Sequence, residues 1–289
     1  MTSPKLNEHS LNSQRVEAKR HLVLLGCGKM GSAMLKGWLE HPEYFKHISI
    51  IEPAGLSPEF PLSGLISCYS SIDELLKSNS TPIDIVVLAV KPQMMSDAIA
   101  PFRQVSLNNI VFLSIAAGLS CDWISKQLGG GGQIVRAMPN TPASVSAGIT
   151  AIYTSGVVDA NQQSFCVTLL QAVGEVIIIP NEEMMDTVTA LSGSGPAYVF
   201  LLAEAMQSAG VKLGLSEVIA KKLAERTILG AGALLAQEAS IASELRENVT
   251  SKGGTTSAAL SVLMEEDRLV NLILKAMQKA EERSRELGK

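Results

Sequence analysis

Hydrophobic and polar positions follow two different periods along this chain. From residue 21 to residue 180, short aliphatic and β-branched runs recur at 21–25, 47–51, 83–90, 109–115, 133–138 and 175–179. Segments able to wind as helices lie between most of them, such as 30–40, 71–77 and 94–102. Near-continuous apolar runs such as IVVLAV at 85–90 suit strands covered on both faces. Strand–helix alternation predicts right-handed crossovers and a doubly wound parallel sheet. The run GITAIYT at 148–154 reads as an extra strand whose direction the pattern leaves open.

After Pro180 no further strand is predicted. Asn181 is placed to cap a helix whose first turn holds Glu182 and Glu183, which suits the positive end of a helix dipole. The run LLAEAM at 201–206 is apolar almost all round, with Glu204 as its one charge, and such a helix is expected inside a core or a subunit interface. In the last helix, Leu269, Ile273, Ala276 and Ala280 share one face while Lys275, Lys279, Glu281, Glu282 and Arg283 point elsewhere. That pattern reads as ordinary amphipathic packing. A boundary near 180 therefore divides a strand-containing part, 21–180, from a helical part, 181–289. The helical part has 289 − 180 = 109 residues. Helices apolar all round in so small a unit predict completion by a second subunit, hence a homo-oligomer.

Composition narrows the partners. Apolar residues make up 46% and charged residues 18%, which excludes wholesale disorder. A net charge of −4 and 4% aromatics give neither a phosphate-binding basic surface nor base-stacking platforms, so no nucleic-acid partner is expected. No apolar run is long enough to span a membrane. Cys27, Cys68, Cys121 and Cys166 form no CxxC pair, which argues against disulfides or a zinc site and predicts a cytoplasmic setting. His9, His21, His41 and His47 are all the histidines, so no metal site is expected in the rest of the chain. Residues 1–20 are polar, without an apolar stretch, and read as a solvated tail rather than a signal peptide.

The strongest motif is Gly26-Cys27-Gly28-Lys29-Met30-Gly31, a complete G-x-G-x-x-G following the strand HLVLL and opening a helix. The first glycine permits a tight turn, the second lets backbone approach a pyrophosphate, and the third lets helix and strand pack closely. Glu52 ends the second strand, 52 − 31 = 21 residues beyond the last motif glycine, where a carboxylate accepts from a ribose 2′-OH. No Lys or Arg lies between Lys46 and Lys77. Taken alone this leans towards NAD, although Ser57, Ser63 and Ser67 are alternative holders of a 2′-phosphate. Two more strand ends point to the same edge. One runs into Lys91-Pro92, where Lys91 reads equally as a phosphate partner or a surface lysine. The other runs into Ala116-Ala117-Gly118, small enough for a flat ring.

Two glycine-rich segments interrupt the helical part. Leu191-Ser192-Gly193-Ser194-Gly195-Pro196-Ala197-Tyr198 should break a helix and let backbone approach a ligand or another subunit. Val249-Thr250-Ser251-Lys252-Gly253-Gly254-Thr255-Thr256-Ser257 precedes a helix and reads either as a carboxylate site or as simple capping by Thr255 or Thr256. A ketone reductase must protonate a developing alkoxide, usually with His or Lys. A protonated cyclic imine accepts hydride and becomes a neutral amine, so backbone N–H groups and threonine hydroxyls suffice. The histidine-free helical part fits the second chemistry.

These motifs together resemble pyrroline-5-carboxylate reductase. The matching stretches are GCGKMG at 26–31, LAVKPQ at 88–93, SIAAG at 114–118, RAMPNTPA at 136–143, ALSGSGPAYVF at 190–200 and VTSKGGTTSAAL at 249–260. The resemblance covers about residues 21–285. It implies an α/β Rossmann-like N-terminal domain and an all-α C-terminal dimerisation domain, with larger rings of dimers in some members. It implies reduction of (S)-1-pyrroline-5-carboxylate to L-proline by NADPH or NADH. By position, the cofactor is expected at Leu25, Gly26, Cys27, Gly28, Lys29, Met30, Gly31, Glu52, Ala89, Val90, Lys91, Pro92, Ile115, Ala116 and Ala117, with Asn140 near the nicotinamide. The substrate is expected at Ser251, Gly253, Gly254, Thr255 and Thr256, with the Thr256 hydroxyl at the imine nitrogen as the catalytic group. Two residues depart from the family pattern. Lys252 replaces a proline in the substrate loop, and Glu52 stands where small or basic residues suit NADPH. A 3-hydroxy-acid dehydrogenase of similar architecture would need Lys212 as its proton donor, and a non-enzymatic dinucleotide sensor would not need the substrate loop.

Overall fold

The computed structural model describes residues 19–60, 62–78, 81–237 and 241–288. The expected tail, 1–20, lies outside the described residues except for Lys19 and Arg20, and Arg20 opens the first strand. Eight strands form one sheet: β1 (Arg20–Leu25), β2 (Phe45–Ile51), β3 (Ile66–Tyr69), β4 (Ile85–Leu88), β5 (Val111–Ser114), β6 (Gln133–Met138), β7 (Gly148–Thr154) and β8 (Gly174–Ile178). Their spatial order is β3-β2-β1-β4-β5-β6-β7-β8. All neighbours from β3 to β6 pair in parallel, the doubly wound order. The open question of 148–154 is settled: β7 runs antiparallel to β6, and β8 then pairs parallel with β7.

The helices of this part are α1 (Lys29–Leu39), α2 (Ile72–Ser78), α3 (Met95–Ile99), α4 (Cys121–Gln127) and α5 (Ala160–Gln171). Alternate strand residues send side chains to opposite faces. Leu22, Leu24, Ile48, Ile50, Ile85 and Val87 meet Met34, Leu35 and Trp38 of α1 and Phe165, Leu169 and Leu170 of α5. Val23, Leu25, Val86, Leu88 and Phe112 meet Ile72 and Leu75 of α2, Met95 and Ile99 of α3, and Ile124 of α4. The Trp38 indole N–H donates to the Leu169 carbonyl at 2.9 Å, so the largest core side chain also ties α1 to α5.

Two local expectations differ from the structure. The pattern misses β3, an edge strand of only four residues in which Ile66 alone is buried. Its partner β2 and the crossover geometry supply what its own apolar content does not. The helix expected over 94–102 is cut to α3 by Pro92 and Pro101, which lie in flanking 3-10 turns where a missing N–H is tolerated.

Beyond β8 the described chain is helical: α6 (Met184–Val188), α7 (Gly195–Lys212), α8 (Glu217–Gln237), α9 (Ala242–Asn248), α10 (Thr255–Met264) and α11 (Arg268–Leu287). The regular α-helix is interrupted between Val188 and Gly195, as the glycines and the proline predict. Residues 189–193 form a π turn that leads from α6 into α7, and the Ser194 N–H reaches the Thr189 carbonyl at 2.8 Å. Pro196 falls in the first turn of α7, where its missing N–H costs little. The Tyr198 hydroxyl donates to the Ala190 carbonyl at 3.0 Å and satisfies an acceptor inside the widened turn.

The apolar helices are not buried within one chain. α7 has no buried residue, and Phe200 and Leu201 are 62% and 64% exposed. α11 is amphipathic as expected, but in its first half the apolar face is wider than the expected stripe and uncovered within the chain, with Val270, Leu272 and Leu274 exposed alongside Leu269 and Ile273. The second half packs: Ser284 is buried and its hydroxyl donates to Asp186 of α6 at 2.6 Å.

Candidate active site

The strand register gathers the expected cofactor residues at one edge. Leu25 lies opposite Ile51 and Leu88, Leu88 opposite Ser114, and Ser114 opposite Arg136. The carboxyl ends of β2, β1, β4 and β5 are therefore level, β6 runs two residues further, and the loops that follow them open onto the same crevice.

The three motif glycines have separable roles. Gly26 has φ +91°, and a Cβ there would stand 2.9 Å from Val90 Cγ1 and 3.0 Å from the Ala89 carbonyl oxygen. A Cβ on Gly31 would run into the Gly26 carbonyl. Gly28 has nothing within 4 Å of a Cβ position, and no side chain caps the helix that it precedes. The first turn of α1 thus presents open N–H groups over an unobstructed floor. This cradle fits a dinucleotide pyrophosphate. Cys27 and Met30 are half-buried in its wall, while Lys29 is exposed. Burial pushes the Cys27 thiol up, and its Sγ sits 3.5 Å from the Ser32 hydroxyl, so it is a neutral wall group and not a nucleophile.

Glu52 follows β2 and reaches back to the cradle. One carboxylate oxygen accepts the Cys27 N–H at 2.9 Å and the other the Ala54 N–H at 3.3 Å. Ala89 is fixed by its N–H on the Leu25 carbonyl at 2.8 Å, and Val90 packs over Gly26. Lys91 is exposed and its carbonyl accepts from Met94 N at the 3-10 turn that starts with Pro92. After β5, Ile115 and Ala117 are half-exposed at the crevice. Ala116 differs: it is 7% exposed, packs in the core, and gives its N–H to the Ser114 hydroxyl at 3.3 Å. Asn140 is buried, and its side-chain oxygen accepts the Ile149 N–H at 3.0 Å, tying the loop after β6 to β7.

The helical part docks against this edge through residues that no local pattern marks. Glu182 does not sit in a first helical turn, since α6 starts at Met184. Its Oε1 instead accepts Arg136 Nη1 at 2.8 Å and the Cys121 N–H at 2.7 Å. Arg136 is 7% exposed at its side chain and Glu182 25%, so this is a largely desolvated pair. The same burial, with the Glu182 charge, pushes the Cys121 thiol up to about 12. Glu182→Ala leaves the Arg136 guanidinium buried without its partner and is expected to cost about 3 kcal/mol. A urea unfolding midpoint that does not fall would refute that assignment. Two further contacts complete the docking. A Cβ on Gly118 would meet the Ser284 carbonyl at 2.9 Å, so the end of α11 rests on the loop that follows Ile115–Ala117. Gly193 of the π turn lies against the Met138 side chain, at the end of β6.

The expected substrate loop opens α10. Gly253 has φ +71°, and a Cβ on Gly254 would displace the Ser251 hydroxyl. The Gly254 N–H turns back to the Ser251 carbonyl at 3.0 Å, and no side chain caps α10. The N–H groups of its first turn are left for an anion. Thr256 and Gly254 are half-buried, while Ser251, Lys252, Gly253 and Thr255 are exposed. The hydrogen bonds of Thr250, Gly254 and Ala258 stay within this segment and α9. Among the described residues no hydrogen bond joins this loop to the cofactor edge of the same chain. Lys212 is exposed in the last turn of α7. Among the described residues no cluster of His, Cys, Asp and Glu could hold a metal ion, and no helix is long and apolar enough to cross a membrane.

Comparison with known proteins places this geometry. Residues 182–287 match a family model described as pyrroline-5-carboxylate reductase dimerisation, and residues 21–118 match one described as NADP oxidoreductase, coenzyme F420-dependent. The pyrroline-5-carboxylate reductase of Haemophilus influenzae is 36% identical over 271 residues, covering 92% of this chain and 97% of that protein. That of Synechocystis is 38% identical over 269 residues, covering 93% and 98%. The chain belongs to the pyrroline-5-carboxylate reductase family. Among solved structures, a pyrroline-5-carboxylate reductase from Coxiella burnetii superposes with a TM-score of 0.81 at 33% identity, covering 94% of this chain and all of that one. The Plasmodium falciparum pyrroline carboxylate reductase, solved with NADP bound, gives a TM-score of 0.76 at 29% identity, covering 93% and 98%. The fold is thus the α/β Rossmann-like domain with an all-helical dimerisation domain. Sequence reasoning missed Glu182, Arg136 and Gly118 as docking residues of this reductase fold. Arg136 stands in the RAMPNTPA stretch, but nothing local couples it to a glutamate 46 residues away.

Proposed function

We propose that this chain reduces (S)-1-pyrroline-5-carboxylate to L-proline, the last step of proline biosynthesis, with NADPH or NADH. The observation that carries the reading is the glycine cradle at the level strand edge, in a chain that also keeps the uncapped Ser251–Thr256 loop. In this reading the cofactor is held by Leu25, Gly26, Cys27, Gly28, Lys29, Met30 and Gly31 under its pyrophosphate, by Glu52 at the adenosine ribose, and by Ala89, Val90, Lys91, Pro92, Ile115 and Ala117 along the edge. Ala116 acts through its backbone, and Asn140 holds the adjoining loop in place.

The bound nicotinamide supplies the hydride. The chain's own groups bind and orient the imine. Ser251, Gly253, Gly254 and Thr255 hold the substrate carboxylate at the positive end of α10. The Thr256 hydroxyl accepts from the protonated imine nitrogen. A C–H bond forms at the imine carbon, the C=N π pair moves to nitrogen, and the product is a neutral amine that takes its next proton from water. No buried acid is needed, which agrees with a site of N–H groups and hydroxyls. A second copy covers the exposed faces of α7, α8, α10 and the start of α11, and in that homodimer the loop of α10 meets a cofactor edge. A larger ring of dimers is expected only by resemblance to some members of the family. Four free cysteines support a cytoplasmic setting.

Purified protein is expected to oxidise NADH or NADPH when given pyrroline-5-carboxylate, with proline as product. Activity confined to 3-hydroxy acids would replace this reading with the dehydrogenase one. Sedimentation velocity on the same sample reads the oligomer size.

A further inference from the structure

We infer that this reductase prefers NADH over NADPH, and that Glu52 is the residue that imposes the preference. The inference rests on the functional reading above and deepens it at the adenosine end of the site. Glu52 does not hang loosely in solvent. Its two oxygens are pinned by the Cys27 N–H at 2.9 Å and the Ala54 N–H at 3.3 Å, one from the cradle and one from its own loop. Each carboxylate oxygen accepts one such bond and keeps a further lone-pair direction for a ribose hydroxyl. The carboxylate is therefore preorganised at the end of β2, where it accepts from a 2′-OH and opposes a 2′-phosphate.

The surroundings add negative charge and no compensating cation. No Lys or Arg lies between Lys46 and Lys77, a span that covers the end of β2, the following loop, β3 and most of α2. At the carboxyl end of β3 the Ser70 hydroxyl and N–H both donate to Glu74, each at 2.7 Å, so this serine is engaged with a second carboxylate. The serines that could have held a phosphate are elsewhere. Ser67 pairs with Ser49 in mid-strand, and Ser63 precedes β3, whose parallel direction places its start at the edge opposite the crevice. Ser57 remains in the loop after Glu52, beside the acidic Glu59. The exposed cations of the crevice are Lys29, the first residue of α1, and Lys91, in the loop after β4, and among the described residues neither forms an ion pair with Glu52. A phosphate carrying about two negative charges beside a fixed carboxylate meets a repulsion that, even with strong screening, is worth at least about tenfold in affinity.

The test uses the full-length protein and reads both cofactors by direct titration without substrate, and by kcat/KM with pyrroline-5-carboxylate. Wild type is expected to favour NADH at least about tenfold in both readouts. Glu52→Gln and Glu52→Ser are expected to raise the NADPH/NADH ratio by a similar factor, through KM for NADPH rather than through kcat. Because the ratio is internal to each protein, partial loss of folded material does not alter it. A wild type that favours NADPH, or variants that weaken both cofactors equally, overturns the inference. A protein that binds NADH tightly but does not turn over pyrroline-5-carboxylate overturns the functional reading and leaves the cofactor inference standing. Binding of neither cofactor overturns both.

Discussion

Thr256→Ala is expected to lower kcat by about a hundredfold while leaving the dissociation constant of NADH or NADPH within about twofold of wild type. Thr256 is the second residue of α10, half-buried, on a helix start with no side-chain cap. The hydroxyl has no role in capping to lose, so the helix should persist. Thr255 and Ser251, which hold the carboxylate in the proposed arrangement, are untouched, so KM for the imine should rise less than kcat falls. The cost appears in kcat because the hydrogen bond keeps the imine nitrogen protonated and fixes the imine carbon in line for hydride, and an imine that is unprotonated or misaligned accepts hydride slowly. Thr256→Ser, which keeps the hydroxyl, is expected to restore most of the rate. Stopped-flow turnover and fluorescence titration of the cofactor read the two effects separately. If cofactor affinity falls in step with turnover, Thr256 serves the fold of the loop and the assignment is wrong.

The second large effect is expected from Phe200→Asp or Leu201→Asp on α7. These side chains are 62% and 64% exposed in one chain, on a helix with no buried residue. Successive helical positions face about 100° apart, so the two variants probe two faces of α7. A carboxylate placed in a dry subunit interface has no partner and costs several kcal/mol, enough to raise the dimer dissociation constant at least about a hundredfold. Size-exclusion chromatography with light scattering should show monomer at micromolar concentration. Activity should be lost with it, because the loop of α10 would no longer meet a cofactor edge. Variants that remain dimeric and active would show that α7 faces solvent in the assembly.

Much of the site was legible in the residues themselves. Glycines 26, 28 and 31 announce a cradle because their requirement is local: each lacks a Cβ where backbone or ligand must come close, and the spacing is set by one strand–turn–helix unit. The apolar excess of 199–206 likewise announces a partner, since burial is a property of composition on a single helix. The change of period near 180 separates the strands from the helices for the same reason.

Other features depend on where distant segments come to rest. Glu182 looks like a first-turn carboxylate, and only the docking of the helical part onto β6 sends it to Arg136 and Cys121. Gly118 looks like room for a nicotinamide ring, yet its missing Cβ is also filled by the end of α11, more than 160 residues later. The direction of β7 is invisible in GITAIYT because side-chain alternation is the same for parallel and antiparallel strands; the connection after β6 decides it. Glu52 stands between the two kinds. Its distance from the glycines predicts an acidic residue at a strand end, a matter of one βαβ unit. That its carboxylate is held by the Cys27 N–H, and that Ser67 lies in mid-strand and Ser63 at the opposite edge, follows only from the folded sheet. Local chemistry is written in neighbouring residues, whereas pairing across the fold is set by the packing of whole elements, which no single segment encodes.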